Sequence, residues 1–121
     1  MDPRALARTV ALGRILIGAG LLAKPELFTL SWIGSDAKRA GPKVLSRALG
    51  ARDLVLGAGT ISSEDRELQG WLLAATAADA TDLLATVLAG EGVPLRGRVM
   101  VGGTALGGAA LGLAALVGLN R

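Results

Sequence analysis

Lys43–Ile61, KVLSRALGARDLVLGAGTI, is the stretch on which the fold turns. It lies between Gly41-Pro42 and the polar run Ser62-Ser63-Glu64-Asp65-Arg66-Glu67 and shows no alternation of period two, so it reads as one helix. At 1.5 Å per residue its length approaches a bilayer core of about 30 Å. Its composition is the difficulty. Val44, Leu45, Leu49, Leu54, Val55 and Leu56, with Ile61 at the end, stand against Arg47, Arg52 and Asp53. A central Arg or Asp costs about 2.5 to 3.5 kcal/mol on insertion, and each Leu, Ile or Val returns about 0.3 to 0.6. Alone, this helix fails to insert by several kcal/mol, so it stays outside a membrane or its charges find partners inside one.

Three more segments of the same kind surround it: Leu6–Ala23, Leu68–Ala89 and Gly97–Leu119. Pro25, Pro42 and Pro94 fall in the connections, as helices require and strands do not. Ser63 is the expected N-cap of the third segment, with acids in its first turn. Gly97–Leu119 carries no charge between Arg98 and Arg121 and inserts unaided. Leu6–Ala23 breaks even against Arg14, and Leu68–Ala89 is unfavourable alone because of Asp79 and Asp82. The second and third segments therefore need each other, and the short 62–67 loop makes them expected antiparallel neighbours. Between the first and second, Leu27–Ile33 is too short to span and reads as an interfacial piece with Trp32 at the headgroups; Trp71 sits toward the opposite interface.

The charges share a depth. Arg14, Arg52 and Asp79 each lie near the midpoint of their segments. The expected pairing sets Arg52 against Asp79 and Asp82, and Asp53 against Arg14, because Arg52 and Asp53 point 100° apart. Asp79 and Asp82 share a face that Thr76 and Thr86 extend. Such pairs serve as assembly staples, or as a ligand or ion site. In the fourth segment Gly103/Gly107 and Gly108/Gly112 form two small-xxx-small pairs suited to close helix packing, within the chain or between copies, and Gly50 and Gly57 do the same in the second.

Composition narrows the rest. With 121 residues the chain makes one domain, here a single membrane domain over 1–121, and 51% apolar residues exclude a disordered chain. No Cys or His is present, which removes disulfides, thiolate and imidazole metal sites and Ser-His or Cys-His nucleophiles. No metal, cofactor or catalytic residue is expected. Gly57-Ala58-Gly59 follows no strand and lacks a Lys-Ser/Thr, so it is not a phosphate loop. The net charge of +3 is dispersed, densest at Lys38, Arg39 and Lys43, without the stripe that nucleic-acid binding needs. Arg14 interrupts the first apolar run and Ala23-Lys24-Pro25 is a poor cleavage site, so the N-terminus reads as retained rather than as a signal peptide. Seven Lys and Arg on one side (Lys24, Lys38, Arg39, Lys43, Arg47, Arg96, Arg98) against four on the other (Arg4, Arg8, Arg66, Arg121) place both termini outside.

Gly50-Ala51-Arg52-Asp53-Leu54-Val55-Leu56-Gly57, followed by Ala78-Asp79-Ala80-Thr81-Asp82-Leu83-Leu84, resembles the small bacterial four-helix membrane proteins filed as a domain of unknown function. That resemblance implies a four-helix integral membrane fold, with polar positions at Arg52, Asp53, Asp79 and Asp82, and brings no activity or substrate. The small multidrug transporters match poorly: their first-helix Glu is replaced by Arg14, and aromatic lining is nearly missing.

The expected fold is all-α: a four-helix transmembrane bundle, antiparallel up-down, in an inner or plasma membrane. The expected function is that of a non-catalytic accessory or scaffold protein, alone or in a homo-oligomer or larger complex, held by Arg14, Arg52, Asp53, Asp79 and Asp82. The alternatives are a transporter or binder of a small ion or ligand using Asp79 and Asp82, and a peripheral helical domain.

Overall fold

A computed structural model describes residues 2–121. Five α-helices follow one another: α1 (Pro3–Ala23), α2 (Pro25–Ile33), α3 (Ala40–Ser62), α4 (Asp65–Ala89) and α5 (Leu95–Leu119). Short 3₁₀ turns at Gly34–Lys38 and Gly90–Gly92 fill two of the connections, and among the described residues there is no strand.

Local chemistry sets the boundaries. The Asp2 carboxylate accepts from the Ala5 N–H at 3.1 Å and caps α1, with Pro3 in its first turn. Lys24 leaves the helical region because Pro25 follows it, and the same proline opens α2. Gly34, at φ +73°, ends α2 in a conformation that favours glycine. Helix α3 starts earlier than the sequence indicates, at Ala40, because Pro42 fits within a first turn whose N–H groups have no helical acceptor. Helix α4 starts at Asp65, where φ is +52°, and Arg4 donates to the Asp65 carboxylate at 2.8 Å. Ser63 is not its cap: Glu64 occupies that position, with no side-chain capping bond.

The long helices pair in an order that loop length does not dictate. Helix α1 packs chiefly on α3, α4 chiefly on α5, and α1 also on α5, whereas α3 and α4 touch sparingly despite their short connection. The expectation of a close α3–α4 hairpin is thus corrected. The reason lies in the glycines. Gly18 faces Gly50 and Gly57 faces Ala11, each so close to the other helix's backbone that no Cβ fits without movement, which draws α1 onto α3. On α5, Gly108 faces Asp79 and Gly112 faces Thr76, both of α4. Gly103 and Gly107 have open space where a Cβ would be.

Helix α2 folds back between the others. The Phe28 ring lies over Gly20 of α1, and the Trp32 carbonyl meets Gly97 of α5. Trp71 packs in the same way on Gly59 of α3. Both tryptophans are half-buried, Trp71 with its ring against Gly59 and Trp32 with its backbone against Gly97.

The distribution of side chains is the reverse of a water-soluble core. Ala7 and Ala115 are 1% exposed, while Leu16 and Leu88 are 72% and 76% exposed. Large aliphatic residues cover the outside of all four long helices, and the interior holds mostly small residues, a few leucines such as Leu56, Leu68 and Leu72, and the charged Arg14, Asp53 and Asp79. One compact apolar cluster, Ala7, Leu68, Leu72 and Ala115, closes one end. Three helical stretches are long and apolar enough to cross a membrane: Pro3–Ala23, Asp65–Gly92 and Leu95–Leu119, with mean hydropathies of 1.6, 1.5 and 1.8. Helix α3 is long enough at 23 residues, but its charges keep it from that group.

Candidate functional site

Arg14 comes from the middle of α1, Arg52 and Asp53 from α3, and Asp79 and Asp82 from successive turns of α4. The structure brings all five together. Arg14 Nη1 donates to Asp53 Oδ1 at 3.1 Å, and Arg14 Nη2 donates to Asp79 Oδ2. Arg52 makes a two-pronged contact with Asp82, Nη1 to Oδ1 at 2.9 Å and Nη2 to Oδ2 at 2.7 Å. Its Nη2 also reaches Asp53 Oδ1 at 3.2 Å. The result is one continuous chain, Asp79–Arg14–Asp53–Arg52–Asp82, tying three helices together.

One pairing departs from the sequence reading. Asp79 bonds Arg14, not Arg52. Helices α1 and α4 face each other across the middle of the molecule, each beside α5, so the long Arg14 side chain reaches Asp79 directly. Asp79 and Asp82 are consequently not a pair sharing one partner: each is taken by a different arginine. Thr76 and Thr86 do not extend the network either; their hydroxyls are buried without a partner, as are Arg52 Nε and Trp32 Nε1.

The network is deepest at Arg14. The Arg14, Asp53 and Asp79 side chains are 9%, 11% and 11% exposed, against 31% for Arg52 and 22% for Asp82. Ion pairs at that depth are enforced, because a lone buried charge costs far more than a satisfied pair.

Beside the network opens a cavity of about 570 Å³, in the range of small-molecule pockets. All five ionisable residues line it, with Phe28 and Trp32 from α2 and aliphatic residues such as Ile17, Met100 and Leu111 from α1 and α5. Sequence reasoning missed the part played by α2, which it read as an interfacial piece with Trp32 at the headgroups. The only trace in the sequence is Gly20 and Gly97, which receive Phe28 and Trp32, and nothing there marks glycines as receivers. Two carboxylate oxygens, Asp53 Oδ2 and Asp79 Oδ1, make no hydrogen bond among the described residues, and neither is fully enclosed. No group of three or more His, Cys, Asp or Glu among the described residues is arranged to hold a metal ion.

Comparison of the chain with protein-family models, with curated proteins and with solved structures finds no match.

Proposed function

We propose that this chain is an integral membrane protein whose four long helices all cross the bilayer, and that it binds a small ligand in the cavity beside the ionic network. The observation that carries this reading is the placement of a 570 Å³ cavity directly against five ionisable side chains. A network serving only to staple helices needs no adjoining space, since voids cost packing energy. The bilayer part rests on the outward aliphatic residues and on the pairing of Arg52 and Asp53, which supplies the compensation that α3 needs to enter lipid. The resemblance to the uncharacterised bacterial membrane family points the same way. An inner or plasma membrane suits helical spans. The residues that touch the cavity bind and orient; no catalytic step is assigned to them.

A second reading, a scaffold or accessory subunit held by the same residues, is favoured by one feature: every charge of the network already has a partner.

Two experiments test these readings. Alkaline carbonate washing leaves the chain in the membrane pellet; its release refutes the membrane reading. Replacing Gly107, which lines the cavity and has free space where a Cβ would be, by Leu fills the cavity without touching the network. Under the binding reading a cell-level or binding phenotype is lost while the protein folds normally. Full function with the cavity filled leaves the scaffold reading.

A further inference from the structure

The network holds two guanidiniums and three carboxylates, so it carries one negative charge in excess. From the other helices lining the cavity no charge offsets it: α2 contributes Phe28 and Trp32, and the α5 residues there are aliphatic, glycine or Thr104. An uncompensated charge in a low-dielectric interior is costly, and a proton or a cation from outside removes the cost. The two carboxylate oxygens left without hydrogen bonds, Asp53 Oδ2 and Asp79 Oδ1, flank Arg14 and belong to residues that line the cavity. The space beyond them is mostly apolar and much larger than a hydrated metal ion requires, and it presents two aromatic rings whose faces attract cations.

Resting on the reading of this cavity as a binding site, we propose that its ligand is a singly charged organic cation with an apolar body. The cationic head is held by Asp53 and Asp79, and the body lies along Phe28, Trp32 and the α1 and α5 side chains. The cation and a proton compete for the same excess charge, with Arg14 from α1, Arg52 and Asp53 from α3 and Asp82 from α4 as the charged groups around Asp79.

The test uses the full chain in lipid nanodiscs and a matched pair of probes, tetraphenylphosphonium and tetraphenylborate, alike in shape and opposite in charge. Binding is read by calorimetry and by Trp32 fluorescence, with Trp71 replaced by Phe. Phosphonium is expected to bind at least about a hundredfold more tightly than borate, from a unit charge beside the net charge of the site. It is also expected to tighten by up to about tenfold per unit rise in pH while a proton competes. Asp79→Asn leaves the network electrically neutral and is expected to fold yet lose the phosphonium preference; Gly107→Leu is expected to weaken both probes. Equal binding of both probes, abolished by Gly107→Leu, overturns the cation proposal and leaves the cavity as a binding site. Binding of neither probe to the folded protein overturns both. Protection by sodium or potassium alone, without phosphonium binding, replaces the organic cation with an inorganic one and overturns the proposal as stated.

Discussion

Neutralising an arginine of the network should be far more damaging than neutralising Asp79, although each removes one charge. Arg14→Gln breaks two ion pairs at once, to Asp53 and Asp79, whose side chains are both 11% exposed. It raises the excess from one negative charge to two and leaves Asp79 without a cation. Breaking a buried pair by removing one partner costs about 3 to 5 kcal/mol. Against a total stability of about 5 to 15 kcal/mol, that is a large share. Asp79→Asn instead brings the network to zero net charge, keeps Arg14 paired with Asp53, and leaves an amide that can still accept from Arg14. Its expected cost is about 1 kcal/mol, that of one weakened hydrogen bond. Combining the two should recover about 2 kcal/mol relative to Arg14→Gln alone, as a double-mutant cycle for directly bonded groups. Arg52→Gln, at a pair 31% and 22% exposed, should cost less than Arg14→Gln because the carboxylate it leaves without its partner is less deeply buried. The assay is reversible unfolding in mixed micelles, followed by far-UV circular dichroism. Equal losses for Arg14→Gln and Asp79→Asn would refute the charge count. Recovery of Asp79→Asn by Arg52→Gln, but not any coupling of Asp79 with Arg14, would refute the pairing.

Three further outcomes follow from local geometry. Gly50→Val sets a side chain against the Gly18 carbonyl and Leu21, and should cost about 1 to 3 kcal/mol by overpacking, whereas Gly103→Val, with open space around it, should leave the unfolding transition unchanged unless copies of the chain meet there. The Glu26 carboxyl, at the exposed start of α2, is held below its ordinary pKa by its bond with Lys43 and by that residue's charge. A lowered folded pKa means that the contribution is present above the ordinary Glu range and is lost as pH falls through the folded value, so Lys43→Gln should return the Glu26 NMR titration to the ordinary range. Ala7→Leu, at a site 1% exposed within the small cluster of Leu68, Leu72 and Ala115, should destabilise by about 1 to 3 kcal/mol in the same unfolding assay.

Depth was legible in the sequence and azimuth was not. The level of a charge follows from counting residues inward from the prolines, so Arg14, Arg52 and Asp79 could be set at one height from Pro25, Pro42 and Pro94 alone. Which helix stands beside which depends on how closely backbones approach, and that is decided by Gly18 against Gly50 and Ala11 against Gly57. The sequence marks Gly50 and Gly57 as packing positions, but nothing in it says that Gly18 and Ala11 of α1 are what they meet. The four-residue pairs of α5 divide, Gly108 and Gly112 lying against α4 while Gly103 and Gly107 have open space where a Cβ would be. Once α1 lies on α3 rather than α4 on α3, Arg14 crosses the middle to Asp79, and the partner inferred from loop length is replaced. The cavity was equally invisible. It exists because α2 folds inward on Gly20 and Gly97, a tertiary choice that no periodicity in nine residues encodes.

Each of α1, α3 and α4 supplies part of the charge balance of the network. When α1 and α3 are together, Arg14, Arg52 and Asp53 sum to one positive charge, with Asp53 within reach of both arginines. That pairing relieves Asp53 but leaves one guanidinium uncompensated in the segment least able to tolerate it. Helix α4 supplies Asp79 and Asp82, so that each arginine has a carboxylate of its own. Of the three, only α3 carries too many charges to rank as apolar enough for a span on its own. On the proposed membrane reading, the network is what makes α3 compatible with a bilayer, because its charges are met by Arg14 of α1 and Asp82 of α4. A pure staple would stop at equal numbers of arginines and aspartates. On the proposed binding reading, the third carboxylate is the group that gives the network a place for one more positive charge.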